Sequence, residues 1–428
     1  MWTRRDVKMV ALSSTSFFHL VALATGAFAA PIRGGISGVL SRLLFPRADS
    51  FQCPVYESWK GARETCSGEE IIWNNKTTAG KYVTYYIPSS DRTVSRAGAA
   101  RTKVAVDMIE GALEKGLAYY ERWGAGIKVY LGIVGQYDAW GSASPLTDAR
   151  ENMEHCEVLI RFPGDREDPV VTLRTLKSTV HELYHCVQYA QNLKGRNSGT
   201  SEQRAWWMEG TARFFDGVMY PIATRVDAVL ERGQFPEEYD PRISLVDQTY
   251  ESALFYHYLH NVGTTPDQFN DWVATKTGRS TVAEDLADLE KTPLFADNWH
   301  GFAEAYVNNK VNYTATVPIK IVTPLSPFET RTLSGDVGSR VDTRSRSIGG
   351  FRFALGRYNL PPTTHYSVAW VEGLERRAVC TWRVARGEWQ SVSESFDVIA
   401  GVAGTVEILC SCTKAAGCVS QFVFERKA

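Results

Sequence analysis

Two histidines stand four residues apart in the stretch STVHELYHCVQY, which spans residues 178–189. A helix brings positions i and i+4 to one face, so the imidazoles of His181 and His185 can bind one metal ion. Glu182 lies about 100° further round the helix. There a carboxylate borders the ion and can accept a proton from a water molecule. The alternative is a helix with two buried histidines that make ordinary hydrogen bonds.

A third ligand would distinguish these interpretations, because a catalytic zinc ion usually has three protein ligands and one open position. A third histidine six residues after His185 is excluded, since that position is Gln191. Glu209 follows in the segment WWMEGTARFF, residues 206–215, whose sequence is compatible with a helix. The candidate ligand set is therefore His181, His185 and Glu209.

The joint pattern H-E-x-x-H and W-x-x-E-G resembles the gluzincin zinc metallopeptidases, a clan that includes the bacterial collagenases and the aminopeptidase/leukotriene-hydrolase family. The matching residues are His181, Glu182, His185, Trp206, Glu209 and Gly210. The resemblance covers roughly residues 100 to 310. It implies one catalytic Zn²⁺ held by His181, His185 and Glu209, with Glu182 as the general base of peptide hydrolysis.

A further segment, TYESALFYHYL (residues 249–259), resembles the part of the aminopeptidase family that begins with a catalytic tyrosine. The resemblance implies that the Tyr250 hydroxyl stabilises the oxyanion of the tetrahedral intermediate, a role for a neutral donor opposite the metal. The alternatives are that Tyr250 packs at a helix start, or that His257 or His260 is the donor.

Two positions depart from the gluzincin pattern. Many members carry an acid four residues after the glutamate ligand, which holds a zinc histidine, but this chain has Arg213 there. Asp216 shares the helical face of Glu209 and can replace that acid, although a surface position is the favoured interpretation.

The mode of cleavage depends on the segment before the motif helix. We expect an endopeptidase in which the strand CEVLIRF, residues 156–162, pairs with an extended substrate. The alternative is an aminopeptidase in which Glu154 binds the substrate amine. Two further alternatives are a zinc enzyme that hydrolyses a non-peptide bond and a catalytically inactive secreted binding protein.

The periodic patterns predict an α+β fold. Apolar residues recur at helical spacing in residues 101–122, 173–191, 205–219, 250–261, 266–277 and 297–309, and β-rich runs occupy 127–134 and 156–162. Residues 51–318 would form a zincin-type catalytic domain, in which a small sheet and the motif helix precede a helical subdomain.

A proline-rich segment marks a boundary, and the sequence pattern changes after it. Short β-rich runs separated by turns predict a small antiparallel β-sandwich over residues 326–428. Its aromatic residues Trp370, Trp382 and Trp389 either line a ligand surface or, as we expect, pack in the core or stand alone.

The N-terminal residues 1–29 are basic, then apolar, and end in Ala27-Phe28-Ala29, which predicts a secretory signal peptide. An uncleaved membrane anchor is the alternative, and residues 30–50 are interpreted as a propeptide or linker. Sequons at Asn75 and Asn312 agree with secretion.

A net charge of −1 gives no indication of a nucleic-acid partner. We expect a secreted enzyme that acts on peptide or protein and contacts no membrane after signal removal; oligomeric state is not indicated.

Eight cysteines fit an oxidising compartment. We expect two disulfides among the first four and two among the last four, with Cys53–Cys66 as the preferred single pair. A metal-thiolate site at Cys410 and Cys412 is the alternative.

Overall fold

The protein is described by a computed structural model. The structure describes residues 64–66, 69–74, 82–86, 92–123, 127–134, 141–147, 153–161, 169–192, 201–221, 239–276, 280–321, 325–371, 374, 377–384, 387–399 and 404–428. The predicted signal peptide, the predicted propeptide or linker, Cys53 and the Asn75 sequon lie outside these residues.

A six-stranded sheet supports the motif helix. Its strands are β1 Glu64–Cys66, β2 Glu69–Asn74, β3 Tyr82–Tyr86, β4 Val129–Val134, β5 Gly141–Thr147 and β6 Met153–Arg161. They lie in the order β1-β2-β3-β4-β6-β5. β3, β4 and β6 are parallel, whereas β5 runs antiparallel to β6. β4 and β6 are rich in β-branched and apolar residues, which favour strands, and Leu131, Val158 and Ile160 are buried in the main core.

Three long helices accompany the sheet, namely α1 Arg92–Tyr120, α2 Pro169–Asn192 and α3 Ser201–Met219. α2 is the motif helix, and it contacts α1, α3, β5 and β6. Every residue of α2 from Thr179 to Gln188 is buried. The histidine pair therefore lies on a helix that its neighbours hold from several directions.

The helical region that follows contains α4 Ala253–Asn261, α5 Pro266–Ala274, α6 Val282–Lys291, α7 Pro293–Ala296 and α8 Trp299–Val307. Two 3-10 turns, Leu245–Asp247 and Tyr250–Ser252, precede α4. α5 and α6 begin at capping boxes, in which Thr265 pairs with Gln268 and Thr281 with Glu284. These boxes satisfy backbone N–H groups at the helix starts and fix the chain direction there.

The C-terminal part is built from short strands. They are β7 Asn312–Thr314, β8 Val317–Pro318, β9 Glu329–Thr332, β10 Arg340–Asp342, β11 Arg346–Ile348, β12 Arg352–Asn359, β13 His365–Trp370, β14 Val379–Val384, β15 Gln390–Ser391, β16 Ser395–Ile399, β17 Thr405–Cys412, β18 Cys418–Ser420 and β19 Phe422–Lys427. One sheet has the order β15-β14-β17-β12-β9 and another β10-β19-β13-β16. Their pairs are antiparallel except β9 with β12. The molecule is thus α+β, with antiparallel sheets after the helical region.

Both C-terminal sheets contribute to one apolar cluster, which includes Tyr358 and Ile408 from the first sheet and Val368 and Phe424 from the second. Trp370 and Trp382 belong to this cluster. The Trp370 ring lies 4.5 Å from that of Phe422, and the Trp382 ring lies 4.4 Å from that of Phe396. Trp389 is half-buried under Arg383, whose guanidinium lies 4.2 Å from its ring. Trp370 and Trp382 are therefore core residues, as expected.

The helical region and the C-terminal sheets share an apolar contact. Trp299 and Phe302 of α8 lie 5.9 and 5.8 Å, between ring centroids, from Phe353 of β12. All three side chains are buried, and each contributes about 1.5–3 kcal/mol by burial. The domain division between residues 318 and 326 stays a prediction.

Three disulfides lie within the described residues: Cys156–Cys186, Cys380–Cys410 and Cys412–Cys418. Their pairing agrees with the expectation that the first and last four cysteines pair separately. The metal-thiolate interpretation is wrong, because Cys410 and Cys412 each bond to another cysteine. Within the described ranges, no helix combines the length and the apolar composition that a membrane crossing requires.

Candidate metal centre

Three side-chain donors from α2 and α3 converge. Nε2 of His181 lies 3.1 Å from Nε2 of His185 and 3.1 Å from Oε2 of Glu209, and His185 Nε2 lies 3.4 Å from the same oxygen. Within the part of the chain that the structure describes, no second trio of His, Cys, Asp or Glu donors converges in this way. His181, His185 and Glu209 can therefore hold a metal ion.

The helices account for this convergence. The two imidazoles lie one turn apart on α2, with ring centroids 4.8 Å apart. Glu209 comes from α3, which packs against α2. The histidines are 6% and 5% exposed, whereas 26% of the Glu209 side chain is exposed. Solvent therefore reaches the trio from the Glu209 side.

Gln188 fixes the ring of His185 from behind. Its Oε1 lies 2.7 Å from Nδ1 of His185, and its Nε2 donates to Met208 O at 3.0 Å and Thr211 Oγ1 at 2.9 Å. The Thr211 hydroxyl donates to Trp207 O, so its oxygen accepts from Gln188. These partners orient the amide so that His185 Nδ1 is the donor and its Nε2 carries the lone pair.

Asp216 does the same for His181. Its Oδ2 lies 3.3 Å from Nδ1 of His181, so this nitrogen donates and Nε2 again carries the lone pair. The favoured sequence interpretation, a surface position for Asp216, is wrong, because the residue is fully buried. The sequence placed it correctly on the Glu209 face of α3 but could not show that α2 covers that face.

Two cations keep this buried aspartate charged. Arg213 Nη1 lies 3.0 Å and Lys177 Nζ 3.4 Å from the Asp216 carboxylate. Burial alone raises the pKa of Asp216, but the charges of Arg213 and Lys177 and the contact with His181 lower it to about 2. Arg213 thus stands where many gluzincins have the acid, and here it supports an acid three residues later.

The three donor atoms need a positive partner. With both Nδ1 atoms donating, the lone pairs of two imidazoles and a carboxylate meet within 3.4 Å. A tetrahedral zinc ion with bonds of about 2.0–2.1 Å would separate its ligands by about 3.3–3.4 Å. The observed separations lie within a few tenths of an ångström of these values, so the residues fit a zinc ion.

The same crowding is visible in the pKa values. Burial lowers the pKa of His181, but hydrogen bonds to Asp216 and Glu209 outweigh it and raise the pKa to about 10. Burial raises the pKa of Glu209, but His185 and His181 lower it below its ordinary range. The trio therefore favours a bound cation, either a proton or a metal ion.

Glu182 lies beside the trio without joining it. It is 9% exposed, and burial raises its pKa although His181 and His185 oppose the change. A carboxylate with a raised pKa is a better proton acceptor at neutral pH. The backbone of Gly141 makes room for it, because a Cβ at Gly141 would come within 2.6 Å of Glu182 Cγ.

Tyr250 is the described aromatic residue that reaches the trio from the helical region. Its ring centroid lies 5.8 Å from that of His181. Burial, the charges of Glu209 and Glu182 and a hydrogen bond to Glu209 raise the pKa of its hydroxyl above the ordinary range. The hydroxyl therefore stays protonated and can donate. Its catalytic role stays a prediction.

The two alternative donors have other surroundings. His257 is fully buried, with its ring 5.0 Å from those of Phe214 and Tyr313. His260 donates from Nδ1 to Thr264 O at 2.9 Å. Within the described residues, Tyr250 has a ring contact with His181 and neither of these histidines has one.

The predicted substrate strand is wrong. β6, which contains most of CEVLIRF, pairs with β4 on one side and β5 on the other, so neither edge is free. The described sheet ends at β5 instead. Its sequence, GSASPLT, has small residues and a proline, and this composition gave no strand signal.

The backbone of Glu154 lies at an irregularity in β6. His155 pairs with Leu146 and Met153 with Thr147, so Glu154 is the extra residue at a register shift. Its side chain lies outside the described residues, and amine recognition by Glu154 stays a prediction.

Comparison with known proteins does not identify a family. No protein-family model matches the sequence, and no curated protein matches it. Among solved structures, the pre-peptidase C-terminal domain of collagenase from Bacillus anthracis matches with 11% identity and a TM-score of 0.15, over 24% of this chain and 97% of that one. PliG, a periplasmic inhibitor of g-type lysozyme from Aeromonas hydrophila, matches with 9% identity and a TM-score of 0.17, over 23% of this chain and 96% of that one. Likenesses this weak carry no argument about fold or function.

Proposed function

We propose that this protein is a zinc-dependent metallopeptidase of the gluzincin type. The observation that carries the proposal is the His181, His185 and Glu209 trio, in which Asp216 and Gln188 turn both imidazole lone pairs toward one point. A helix that merely buried two histidines would not need both rings to be fixed in this way. The H-E-x-x-H and W-x-x-E-G pattern supports the same assignment.

A bound zinc ion supplies Lewis acidity, which polarises a carbonyl group and makes water a better nucleophile at neutral pH. The chain supplies the proton transfers. Glu182 accepts the proton of the attacking water and then delivers it to the leaving amine, for which its raised pKa suits it. Tyr250, protonated and adjacent to Glu209, donates to the developing oxyanion.

An extended peptide is the substrate that the surroundings favour. β5 begins at Gly141, directly against Glu182, and has one strand neighbour among the described strands. Pro145 has no N–H, so it suits a position whose backbone faces the free edge. Backbone groups alternate in direction along a strand, so those of Gly141 and Ala143 would share this orientation, with the Ala143 carbonyl accepting from the Tyr189 hydroxyl at 3.4 Å. A substrate strand beside them would pass the general base, which favours an endopeptidase.

Secretion is part of the proposal. The three disulfides among the described residues are typical of proteins from oxidising compartments. The predicted signal peptide supports the same route.

The test is cleavage-site profiling on a peptide library derived from a proteome. Zinc-loaded wild type should cut within peptides, chelator should abolish the cuts, and zinc should restore them. Cuts confined to the first residue would favour the aminopeptidase alternative. An absence of chelator-sensitive cuts, with zinc bound, would overturn the peptidase proposal.

A further inference from the structure

The position of Tyr250 depends on a short turn. The 3-10 turn Tyr250–Ser252 follows the extended residue Gln248 and the irregular residue Thr249, and it leads directly into α4. It brings the Tyr250 ring centroid 5.8 Å from that of His181. A turn of three residues has little stability of its own, so contacts outside it must fix the tyrosine.

The turn meets α3 next to the candidate ligand. The Ser252 hydroxyl, which has one proton to donate, lies 2.5 Å from Trp206 O on α3 and 2.6 Å from Thr249 O, so the two carbonyl oxygens share it. Gly210 makes this approach possible, because a Cβ there would overlap the Ser252 hydroxyl and come within 3.0 Å of the Tyr256 ring. Ser252 is completely buried. The turn therefore packs against Gly210, the residue that follows Glu209.

Further hydrogen bonds fix both Trp206 and the turn. The indole of Trp206 donates to Asp285 Oδ2 at 2.9 Å, and both residues are buried. At the other end of the turn, Oε2 of Glu251 accepts from Thr249 N at 3.1 Å and from Thr249 Oγ1 at 2.8 Å. The turn is thus fixed before and after Tyr250, and Ser252 provides its link to α3.

We propose that Ser252 is a positioning residue, which through its bond to Trp206 over Gly210 holds the Tyr250 ring beside His181 and the donor trio. The role rests on the proposed function, because it matters for catalysis only if Tyr250 acts on the substrate. The proposal also explains two residues of the W-x-x-E-G segment. The Trp206 carbonyl accepts the bond from Ser252, and Gly210, which has no side chain, leaves room for the Ser252 hydroxyl.

A double-mutant cycle tests this role. Ser252→Ala should lower kcat about 10- to 100-fold, with little change in KM, because Tyr250 loses its alignment. Tyr250→Phe should lower kcat by at least as much. In the Tyr250→Phe background, Ser252→Ala should have almost no further effect. An undiminished effect of Ser252→Ala in that background, or no effect in the wild type, would overturn the proposal.

Ser244→Ala is the matched control. Ser244 is also buried, and its hydroxyl donates to a backbone carbonyl, Gly350 O, at 2.7 Å. It should lower thermal stability about as much as Ser252→Ala while leaving kcat unchanged. If Ser244→Ala lowered kcat equally, the effect at Ser252 would be general destabilisation and the proposal would be wrong.

A crystal structure of zinc-loaded Ser252→Ala provides a readout that does not need activity. The Tyr250 ring should move away from its wild-type position 5.8 Å from the His181 ring, with the zinc content unchanged. A Tyr250 ring that stayed at its wild-type distance from His181 would contradict the proposal even if the enzyme were inactive, so the two proposals can fail separately. Should Ser252→Ala not fold, Ser252→Gly removes the same hydroxyl and is judged by the same distance.

Discussion

Two buried carboxylates in this molecule each lie between two cationic side chains. Asp216, in the metal centre, lies between Lys177 at 3.4 Å and Arg213 at 3.0 Å. Glu407, in the C-terminal sheets, lies 2.7 Å from both Arg357 and Arg383. In each case the cations outweigh burial and lower the pKa of the acid.

Their surroundings differ in what else the acid contacts. Asp216 also bonds to His181, and the Lys177 and Asp216 side chains are 2% and 1% exposed. Glu407 has cross-strand partners on β12 and β14, and 41% of the Arg357 side chain is exposed. Burying several charges at Asp216 is costly, and apolar packing would serve stability at least as well. The charges around Asp216 are therefore explained by the histidine that they orient, whereas those around Glu407 are explained by the sheet that they join.

The largest effect should come from Glu182→Gln, compared with Glu329→Gln in the C-terminal sheets. Both glutamates are 9% exposed. Glu182→Gln should lower kcat for peptide hydrolysis by about 10²–10⁴-fold, because glutamine cannot accept the proton. Bound zinc should not change. Glu329→Gln should leave kcat at the wild-type value, and equal losses of kcat in the two variants would remove the distinction between the regions.

The two longer disulfides give a matched comparison of stability. Cys156–Cys186 joins β6 to α2 one residue after His185, Cys380–Cys410 joins β14 to β17, and both have a sequence separation of 30. Replacing either pair with alanine should lower the free energy of unfolding by about 3–4 kcal/mol, as measured by denaturant titration. Only the Cys156/Cys186 variant should also bind zinc more weakly. Weaker zinc binding in the Cys380/Cys410 variant would show that the regions are coupled.

Asp216→Asn and Glu407→Gln test directly whether the two buried carboxylates have different roles. Asp216→Asn should weaken zinc binding about 10- to 100-fold, because His181 loses the acid that orients its ring. Glu407→Gln should destabilise the fold and leave zinc affinity unchanged. Competition with a fluorescent chelator measures both affinities. If Asp216→Asn bound zinc as tightly as wild type, the role of Asp216 would be structural only.

The smallest effect concerns pH. In the zinc-free protein the pKa of His181 is raised to about 10, so this residue is protonated at neutral pH. Zinc must displace that proton, and its affinity should therefore rise with pH, by at most about tenfold per unit, until the pH reaches that value. Calorimetry in buffers of different ionisation enthalpy should show about one proton released per zinc near neutral pH. Uptake of protons on zinc binding would contradict the raised pKa of His181 in the zinc-free protein.

The sequence predicted the helices of the metal centre because their signals are local. Residues 173–191 and 205–219 were expected to be helical, and α2 and α3 contain both ranges. Gln188 was missed, although its position three residues after His185 on a helix made it a candidate partner. Tertiary contacts could not be predicted from local sequence patterns, because the burial of Asp216 depends on α2 and the edge position of β5 depends on the order of the strands. Helix α6 was missed too, although its capping box at Thr281 and Glu284 was visible in the sequence.

The zinc content of the purified chain, measured by inductively coupled plasma mass spectrometry, tests the ligand trio most directly. Wild type should contain one zinc ion per chain after dialysis, and His185→Ala should contain almost none while staying folded by circular dichroism. His365→Ala, which changes a histidine on β13 of the C-terminal sheets, should keep the full zinc content. A folded wild type without zinc, or a His185→Ala variant that retained it, would contradict the assignment of His181, His185 and Glu209 as its ligands.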